Sequence, residues 1–126
     1  MENTVIKKKI LVVEDEETLL ELESILLTSK GYNVEVAMDG KSALELVANM
    51  KPDLVLLDIM IPEIDGFEVC RQIKANMATR HIPVIMLSAK KGKKDLVMGE
   101  QAGADWYITK PFKSAMVIET IDRLLS

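Results

Sequence analysis

The sequence has 126 residues, close to the commonest size of a single domain, and 48% of them are hydrophobic and 29% charged. A formal net charge of −4 argues against nucleic acid as a direct ligand. Cys70 is the only cysteine, which excludes an intramolecular disulfide and favours a reducing compartment. No apolar run approaches the roughly 20 residues of a membrane helix, and nothing resembles a signal peptide. We therefore expect one cytoplasmic domain over residues 1–126, with neither a nucleic-acid nor a membrane partner.

Strands and helices alternate in the first half of the chain. The pattern predicts strands over 9–13, 33–37 and 53–57, and helices over 16–30 and 40–50. Asp39 is the expected N-cap of the second helix, and Gly31 follows the end of the first. Four apolar residues of the first helix fall at helical spacing: Leu19, Leu22, Ile25 and Leu26.

The alternation continues in the second half. A helix opens at 65–66 and carries Phe67, Cys70, Ile73 and Met77 along one face. Strands follow over 83–87 and 106–109, separated by a weak helix over 93–102 that Gly99 interrupts. The last helix, over 113–125, has an apolar stripe consisting of Val117, Ile118, Ile121, Leu124 and Leu125.

Five strands that alternate with five helices indicate a parallel sheet with helices on both faces. Right-handed crossovers leave few ways to connect such a sheet. We therefore predict a doubly wound α/β fold of the flavodoxin-like kind, with strand order 2-1-3-4-5.

Polar residues follow the predicted strands at one edge of this sheet. Glu14 and Asp15 follow the first strand and Asp58 the third, while Ser88 and Lys110 follow the fourth and fifth. Strand order places the three acids together, where their mutual repulsion requires a cation. Mg²⁺ suits such oxygen ligands. Any one acid has an alternative role as a cap of the next helix, but Asp58 precedes a loop over 59–64.

Four segments give the sequence a resemblance to a known family. They are "LVVEDEE", "DIMIPEIDG", "PVIMLSA" and "GADWYITKPF", in this order along the chain. Over essentially all 126 residues, the sequence resembles a receiver domain of a two-component response regulator.

The resemblance implies a chemical role for each residue of the predicted edge. Asp58 would accept a phosphoryl group from a histidine kinase, a phosphotransfer protein or a small phosphodonor. Mg²⁺ or Mn²⁺ would be bound by Glu14, Asp15, Asp58 and the backbone carbonyl of Met60. Ser88 and Lys110 would contact the phosphoryl group, and Lys110–Pro111 would be a cis peptide bond.

The resemblance also implies how the signal leaves the site. Ser88 would move towards the phosphoryl group and Tyr107 would swing inwards, changing the face formed by the fourth helix, fifth strand and fifth helix. That face would control an output domain or protein target, with a phosphorylation-dependent homodimer as one outcome. Trp106, beside Tyr107, is a candidate partner contact.

Two residues depart from the family pattern. Glu14 replaces the commoner aspartate, and Ser88 replaces the commoner threonine.

Three other functions stay open. The alternatives are an interaction module that is never phosphorylated, a small aspartyl-phosphate phosphatase and a flavin or nucleotide carrier. A phosphatase commonly has a second acid two residues after its nucleophile, where Met60 stands, and the acidic turn after the first strand disfavours a phosphate-binding loop. We expect no enzyme activity beyond the domain's own phosphorylation and dephosphorylation.

Overall fold

Five strands and five helices alternate through residues 7–126, the part of the chain that the computed structural model describes. The strands are β1 (Lys9–Val13), β2 (Asn33–Ala37), β3 (Leu54–Leu57), β4 (Val84–Ser88) and β5 (Trp106–Thr109). The helices are α1 (Glu17–Ser29), α2 (Gly40–Met50), α3 (Gly66–Ala75), α4 (Lys93–Gln101) and α5 (Ser114–Leu125). The first six residues of the predicted domain lie outside this range.

The strands form one parallel sheet in the order β2-β1-β3-β4-β5, which confirms the predicted fold. Its register places Val13 of β1 beside Leu57 of β3. Residues 10–13 of β1 and all of β3 are buried because helices cover the two faces of the sheet. The residues that follow these two strands therefore emerge side by side.

Two apolar clusters fill the space between the sheet and the helices. One cluster joins β1, β3 and β4 to α2 and α3 through residues such as Leu11, Val47 and Ile73. The other joins the opposite face of the sheet to α1 and α5 through residues such as Ile10 and Val117. The side chains of each strand alternate between the clusters, as the period of two in a strand requires.

The helix ends follow local side-chain chemistry. Asp39 accepts a hydrogen bond from the Ser42 N–H at 2.7 Å, which makes it the N-cap of α2 as predicted. Asp65 does the same for α3 through the Glu68 N–H at 3.0 Å. Gly31 follows α1 with a φ of 95°, a backbone conformation that favours glycine.

The apolar stripe predicted on α1 has helical spacing, but it is not the buried face. Leu22 and Ile25 are each 59% exposed, whereas Leu20, Glu23 and Leu27 are buried. The helix carries leucines on both sides, so periodicity alone does not identify the inner face.

The predicted position of Met77 in the third helix is also wrong. The helix α3 ends at Ala75, and Met77 lies beyond it with its side chain 77% exposed. Phe67, Cys70 and Ile73, predicted on the same face, are buried.

Gly66 is required where α3 begins against the loop that follows β3. A Cβ atom there would lie 2.5 Å from the Ile59 Cα and 2.7 Å from the Asp58 carbonyl oxygen, and both contacts are with backbone. We expect Gly66→Ala to lower the free energy of unfolding by about 3 kcal/mol, because this backbone must shift. Urea unfolding would measure the loss. Gly92→Ala, where the nearest atom is in the Asp95 side chain, is the control, and an equal effect of both changes would contradict the prediction.

Glu23 predicts a pH dependence of stability. Burial, and then the charge of Glu14, raise its pKa from the ordinary 4.5 to about 7. Between these two pKa values the folded protein holds a proton that the unfolded chain has released. The free energy of unfolding therefore falls as pH rises from about 4.5 to about 7, and it levels off above pH 7. The effect is on the order of 3 kcal/mol. Glu23→Gln should remove it.

Urea unfolding at several pH values between about 5 and 8 would measure this difference. Glu21→Gln, at an exposed position on the same helix, is the control and should keep the wild-type slope. A Glu23→Gln protein whose stability falls with pH as steeply as the wild type would contradict the prediction.

Candidate functional site

The predicted polar residues lie at the carboxyl edge of the sheet. The ladder of backbone hydrogen bonds continues one residue beyond the strands there: the Glu14 N–H donates to the Ala37 carbonyl, and the Asp58 N–H donates to the Val13 carbonyl, both at 3.0 Å. Glu14 and Asp58 are therefore fixed by the buried strands behind them, which explains how an acid can follow so apolar a segment.

Three carboxylates meet at this edge. One oxygen each from Glu14, Asp15 and Asp58 can be chosen so that all three lie within 4.8 Å of one another. Glu14 is 2% exposed and Asp58 8%, whereas Asp15 is exposed. Burial raises the pKa of the Glu14 carboxyl, and the charge of Asp58 adds to this shift. The cluster therefore concentrates negative charge where water screens it poorly.

Lys110 is the cation of the site. Its Nζ lies 3.0 Å from Glu14 Oε1 and 3.1 Å from Asp58 Oδ2. Burial acts to lower the pKa of the Lys110 ammonium, but its bonds to Glu14 and Asp58 outweigh that effect and leave the pKa raised. The Lys110 N–H donates to the Ser88 carbonyl at 2.8 Å, and the Lys110–Pro111 peptide bond is cis.

Backbone N–H groups bind the remaining oxygens of the two buried acids. The Glu16 N–H donates to Glu14 Oε2 at 3.1 Å, and the Met60 N–H donates to Asp58 Oδ1 at 3.0 Å. These bonds and the lysine fix the orientation of both carboxyl groups. The Met60 side chain is 58% exposed and lines a cavity beside the site together with Lys90.

Ser88 and Tyr107 are linked through the loop after β4. Ser88 is fully buried, and its hydroxyl accepts a hydrogen bond from the Lys90 N–H at 3.2 Å. The half-buried Tyr107 donates its hydroxyl proton to the Lys90 carbonyl. Gly99 of α4 leaves room for the tyrosine ring, since a Cβ there would lie 2.9 Å from its Cδ2 atom. One loop residue therefore contacts both predicted switch side chains.

Trp106 lies on the edge strand β5, apart from the acidic cluster. It is 47% exposed, and the Arg123 guanidinium lies 6.0 Å from the centre of its ring. This distance is at the limit of a cation–π interaction. The exposed indole adjoins α5, on the face predicted to change.

The donor set of the acidic cluster fits a hard divalent cation. Its ligands are carboxylate oxygens from two adjacent strand ends, with Asp15 exposed to solvent. Mg²⁺ binds through a few carboxylates and retains water molecules, so a cluster open on one side suits it. The cluster therefore supports the expectation of a Mg²⁺ or Mn²⁺ site.

Sequence reasoning missed Glu23, which lies behind the site on α1. It is 6% exposed, and its Oε2 atom has no hydrogen-bond partner among the described residues. The available signal was the spacing of Glu23, three residues after Leu20 and four before Leu27, which places all three on one side of α1. Using this signal required knowing that this side of α1 faces the sheet.

The sequence matches the family model for the response regulator receiver domain over residues 10–122. Within the described residues, every helix is too short or too polar to cross a membrane.

Two curated relatives illustrate the match. The chain is 42% identical over 116 residues to the response regulator PleD of Caulobacter vibrioides, covering 92% of this chain and 26% of PleD. It is 43% identical over 118 residues to the alkaline phosphatase synthesis transcriptional regulatory protein PhoP of Bacillus subtilis, covering 94% of this chain and 48% of PhoP. The chain thus spans half or less of these relatives.

Solved structures share the fold across their whole length. A putative response regulator from Chloroflexus aurantiacus has a TM-score of 0.90 at 29% identity, with 95% of this chain and 98% of that chain covered. The receiver domain of sensor histidine kinase PA1611 from Pseudomonas aeruginosa, with a magnesium ion in its active site cleft, has a TM-score of 0.88 at 32% identity, with 95% and 98% covered. The chain belongs to the response regulator receiver domain family, the phospho-accepting switches of two-component signalling.

Proposed function

We propose that Asp58 is the phosphoryl acceptor of this receiver domain. The observation that carries the proposal is the position of its carboxylate, which directly follows a buried strand, lies beside two other acids and accepts a hydrogen bond from Lys110 at 3.1 Å. A carboxylate held in this way can act as a nucleophile towards phosphorus.

The transfer forms one bond and breaks one. An Asp58 carboxylate oxygen attacks the phosphorus of a phosphohistidine, the phosphorus–nitrogen bond breaks, and its electron pair stays with the imidazole nitrogen, which takes up a proton. Asp58 then carries an acyl phosphate. Lys110 compensates the added charge, because its flexible ammonium can follow the phosphoryl oxygens away from Glu14. A small phosphodonor would transfer its phosphoryl group to Asp58 in the same way.

Glu14, Asp15 and Asp58, with the Met60 carbonyl, are the proposed ligands of a divalent cation. Bound Mg²⁺ or Mn²⁺ would neutralise charge on the transferring group. The related PA1611 receiver domain was solved with magnesium in its active site cleft, which supports Mg²⁺ as the natural ion. The longer side chain of Glu14, where aspartate is commoner, reaches Lys110 at 3.0 Å.

Ser88 and Tyr107 are the proposed switch residues. A Ser88 hydroxyl that turns towards the phosphoryl group gives up its bond with the Lys90 N–H, and this loosens the loop that Tyr107 contacts. Tyr107 and the exposed Trp106 belong to the face formed by α4, β5 and α5, so the change reaches a partner surface.

The partners follow from this role. We propose a histidine kinase or phosphotransfer protein as phosphodonor, in the cytoplasm, and an output domain or separate protein as target. The relative PhoP is a transcriptional regulatory protein, and this chain spans 48% of its length. Residues 1–126 would be one receiver domain, with direct DNA binding left to another segment or protein. A phosphorylation-dependent homodimer through the same face is part of the proposal.

Phosphorylation of Asp58 is testable by intact mass. Incubation with acetyl phosphate and Mg²⁺ should add one phosphoryl group of about 80 Da, because the donor's anion and the acidic site require a shared cation. Asp58→Asn, or EDTA in place of Mg²⁺, should abolish the adduct. Asp53→Asn, an acid at the opposite end of the same strand, is the matched control and should be phosphorylated normally.

An adduct that persists in Asp58→Asn would contradict the proposed acceptor. An adduct unaffected by EDTA would contradict the metal requirement. If neither protein reacts, transfer from a phosphorylated histidine kinase replaces acetyl phosphate as the donor, and failure there too would reject the function.

Met60 predicts a long-lived phosphorylated state. Its exposed apolar side chain follows Asp58 by two residues, where it restricts approach of the water that hydrolyses the acyl phosphate. We expect Met60→Asn to shorten the half-life of phosphorylated protein by roughly threefold or more, since a barrier change under 1 kcal/mol gives that factor. Loss of the adduct mass over time would measure it. An unchanged or longer half-life would contradict this role.

A further inference from the structure

The chain carries several exposed methionines, and one of them lies beside the proposed acceptor. The sequence contains eight methionines. Among the described residues, four have largely exposed side chains: Met38, Met60, Met77 and Met116. Met86, by contrast, is fully buried in the core. Oxidants reach exposed thioethers first, so the position of each exposed methionine decides what its oxidation changes.

The backbone holds Met60 next to Asp58. The Met60 N–H donates to Asp58 Oδ1 at 3.0 Å. The Met60 side chain is 58% exposed and lines a cavity of about 460 Å³ together with Lys90 and Lys94. The thioether is therefore open to solvent and only a few bonds away from the N–H group that orients the acceptor carboxylate.

The cavity beside Met60 suits a polar oxygen at this position. Lys90 and Lys94 are exposed, and neither forms a salt bridge within residues 7–126. Lysine ammonium groups donate hydrogen bonds, and a thioether sulfur is only a weak acceptor for them. Oxidation to the sulfoxide makes the side chain polar and gives it an oxygen that ammonium groups and water can bind. The surroundings of Met60 therefore stabilise the oxidised side chain.

We propose that Met60 is a site of reversible oxidation and that its sulfoxide shortens the lifetime of the phosphorylated receiver domain. The inference rests on the proposed function, because it requires an acyl phosphate on Asp58. The unoxidised side chain is apolar and restricts the approach of water. The sulfoxide oxygen accepts a hydrogen bond from water instead, and so brings the attacking molecule to the acyl phosphate. Oxidation would therefore end the signal sooner.

The oxidation transfers two electrons from sulfur to a peroxide. The Met60 sulfur attacks one oxygen of hydrogen peroxide, a sulfur–oxygen bond forms, and the oxygen–oxygen bond breaks. The departing hydroxide takes the proton from the new sulfur-bound hydroxyl, which leaves a sulfoxide and water. A methionine sulfoxide reductase reverses the change, since two thiols supply the electrons and become a disulfide.

The hydrolysis that follows is also balanced. A water oxygen attacks the phosphorus of the acyl phosphate, and the bond between phosphorus and the Asp58 oxygen breaks. The electron pair stays on the Asp58 carboxylate, and the water protons leave with inorganic phosphate or pass to solvent. The sulfoxide contributes only a hydrogen-bond acceptor to this step, so it acts by positioning water and is not consumed.

The other oxidisable groups either are buried or lie far from the acceptor in the fold. Burial raises the pKa of the Cys70 thiol to about 11, so almost none of it is the reactive thiolate at neutral pH. At 77%, Met77 is more exposed than Met60. It lies between α3 and β4, at the amino edge of the sheet. Met77 is therefore a matched control, because a peroxide oxidises it without changing the acceptor site.

Peroxide treatment of the whole protein tests the inference. Peptide mass mapping should show a gain of about 16 Da, one oxygen, on both Met60 and Met77. Treated and untreated protein would then be phosphorylated with acetyl phosphate and Mg²⁺, the donor removed, and loss of the adduct followed by intact mass. We expect the half-life to fall roughly threefold after oxidation. Incubation with methionine sulfoxide reductase and dithiothreitol should restore it.

Three variants assign the effect to one side chain. The readout is the ratio of half-lives without and with peroxide, measured for each variant against itself. Met60→Leu cannot be oxidised at this position, and its ratio should be about one, against roughly three in the wild type. Met60→Gln carries an amide oxygen in place of the sulfoxide, so it should have a short half-life before any treatment. Met77→Leu should keep the wild-type ratio. General effects of peroxide cancel, because all other methionines are shared.

Four outcomes would overturn the inference. They are a half-life unchanged in protein oxidised at Met60, a Met60→Leu ratio equal to that of the wild type, a Met60→Gln half-life as long as that of the untreated wild type, and a Met60 that stays unoxidised while Met77 reacts. An adduct of unchanged lifetime rejects this inference alone. Absence of any phosphoryl adduct, in treated and untreated protein alike, rejects the proposed function and this inference with it.

Discussion

The mutual repulsion of three carboxylates at one edge of the sheet is the constraint on which the functional part of this structure depends. Oxygens of Glu14, Asp15 and Asp58 lie within 4.8 Å, and two of the three side chains are nearly inaccessible to water. Lys110 offsets this charge through contacts with both buried acids. A site that needs positive charge at rest is prepared for a metal ion and for a phosphoryl group that alters the balance again.

The sheet makes this arrangement possible because the buried strands hold the acids in place although their carboxylates repel one another. Glu14 and Asp58 extend two buried, adjacent strands, and the loop after Asp58 returns at Gly66, where only glycine fits against the backbone. The apolar clusters on the two faces stabilise those strands. Folding free energy from the core therefore offsets the electrostatic cost of the site, as in many proteins whose function requires locally unfavourable contacts.

Three features were predictable because each rests on a strong pattern in the sequence. They are the strand order, the helix positions and the meeting of Glu14, Asp58 and Lys110. Buried parallel strands are continuous apolar runs, and their order determines which carboxyl ends are neighbours. The inner face of α1 was not predictable, since leucines lie on both sides of it and the buried side includes Glu23. The hydrogen bond from Tyr107 to the Lys90 carbonyl was also not predictable, because it depends on the conformation of the loop after β4.

The most direct test of the proposed balance of charge is Mg²⁺ binding measured by calorimetry, with and without Lys110. Lys110→Met removes a cation that competes for Glu14 and Asp58, so we expect it to bind Mg²⁺ several-fold tighter than the wild type, a gain of roughly 1 kcal/mol or more. Lys74→Met is the control, because Lys74 pairs with Asp105 instead, and it should leave the affinity unchanged. An unchanged or weaker affinity in Lys110→Met would contradict the central claim that Lys110 neutralises the acidic cluster.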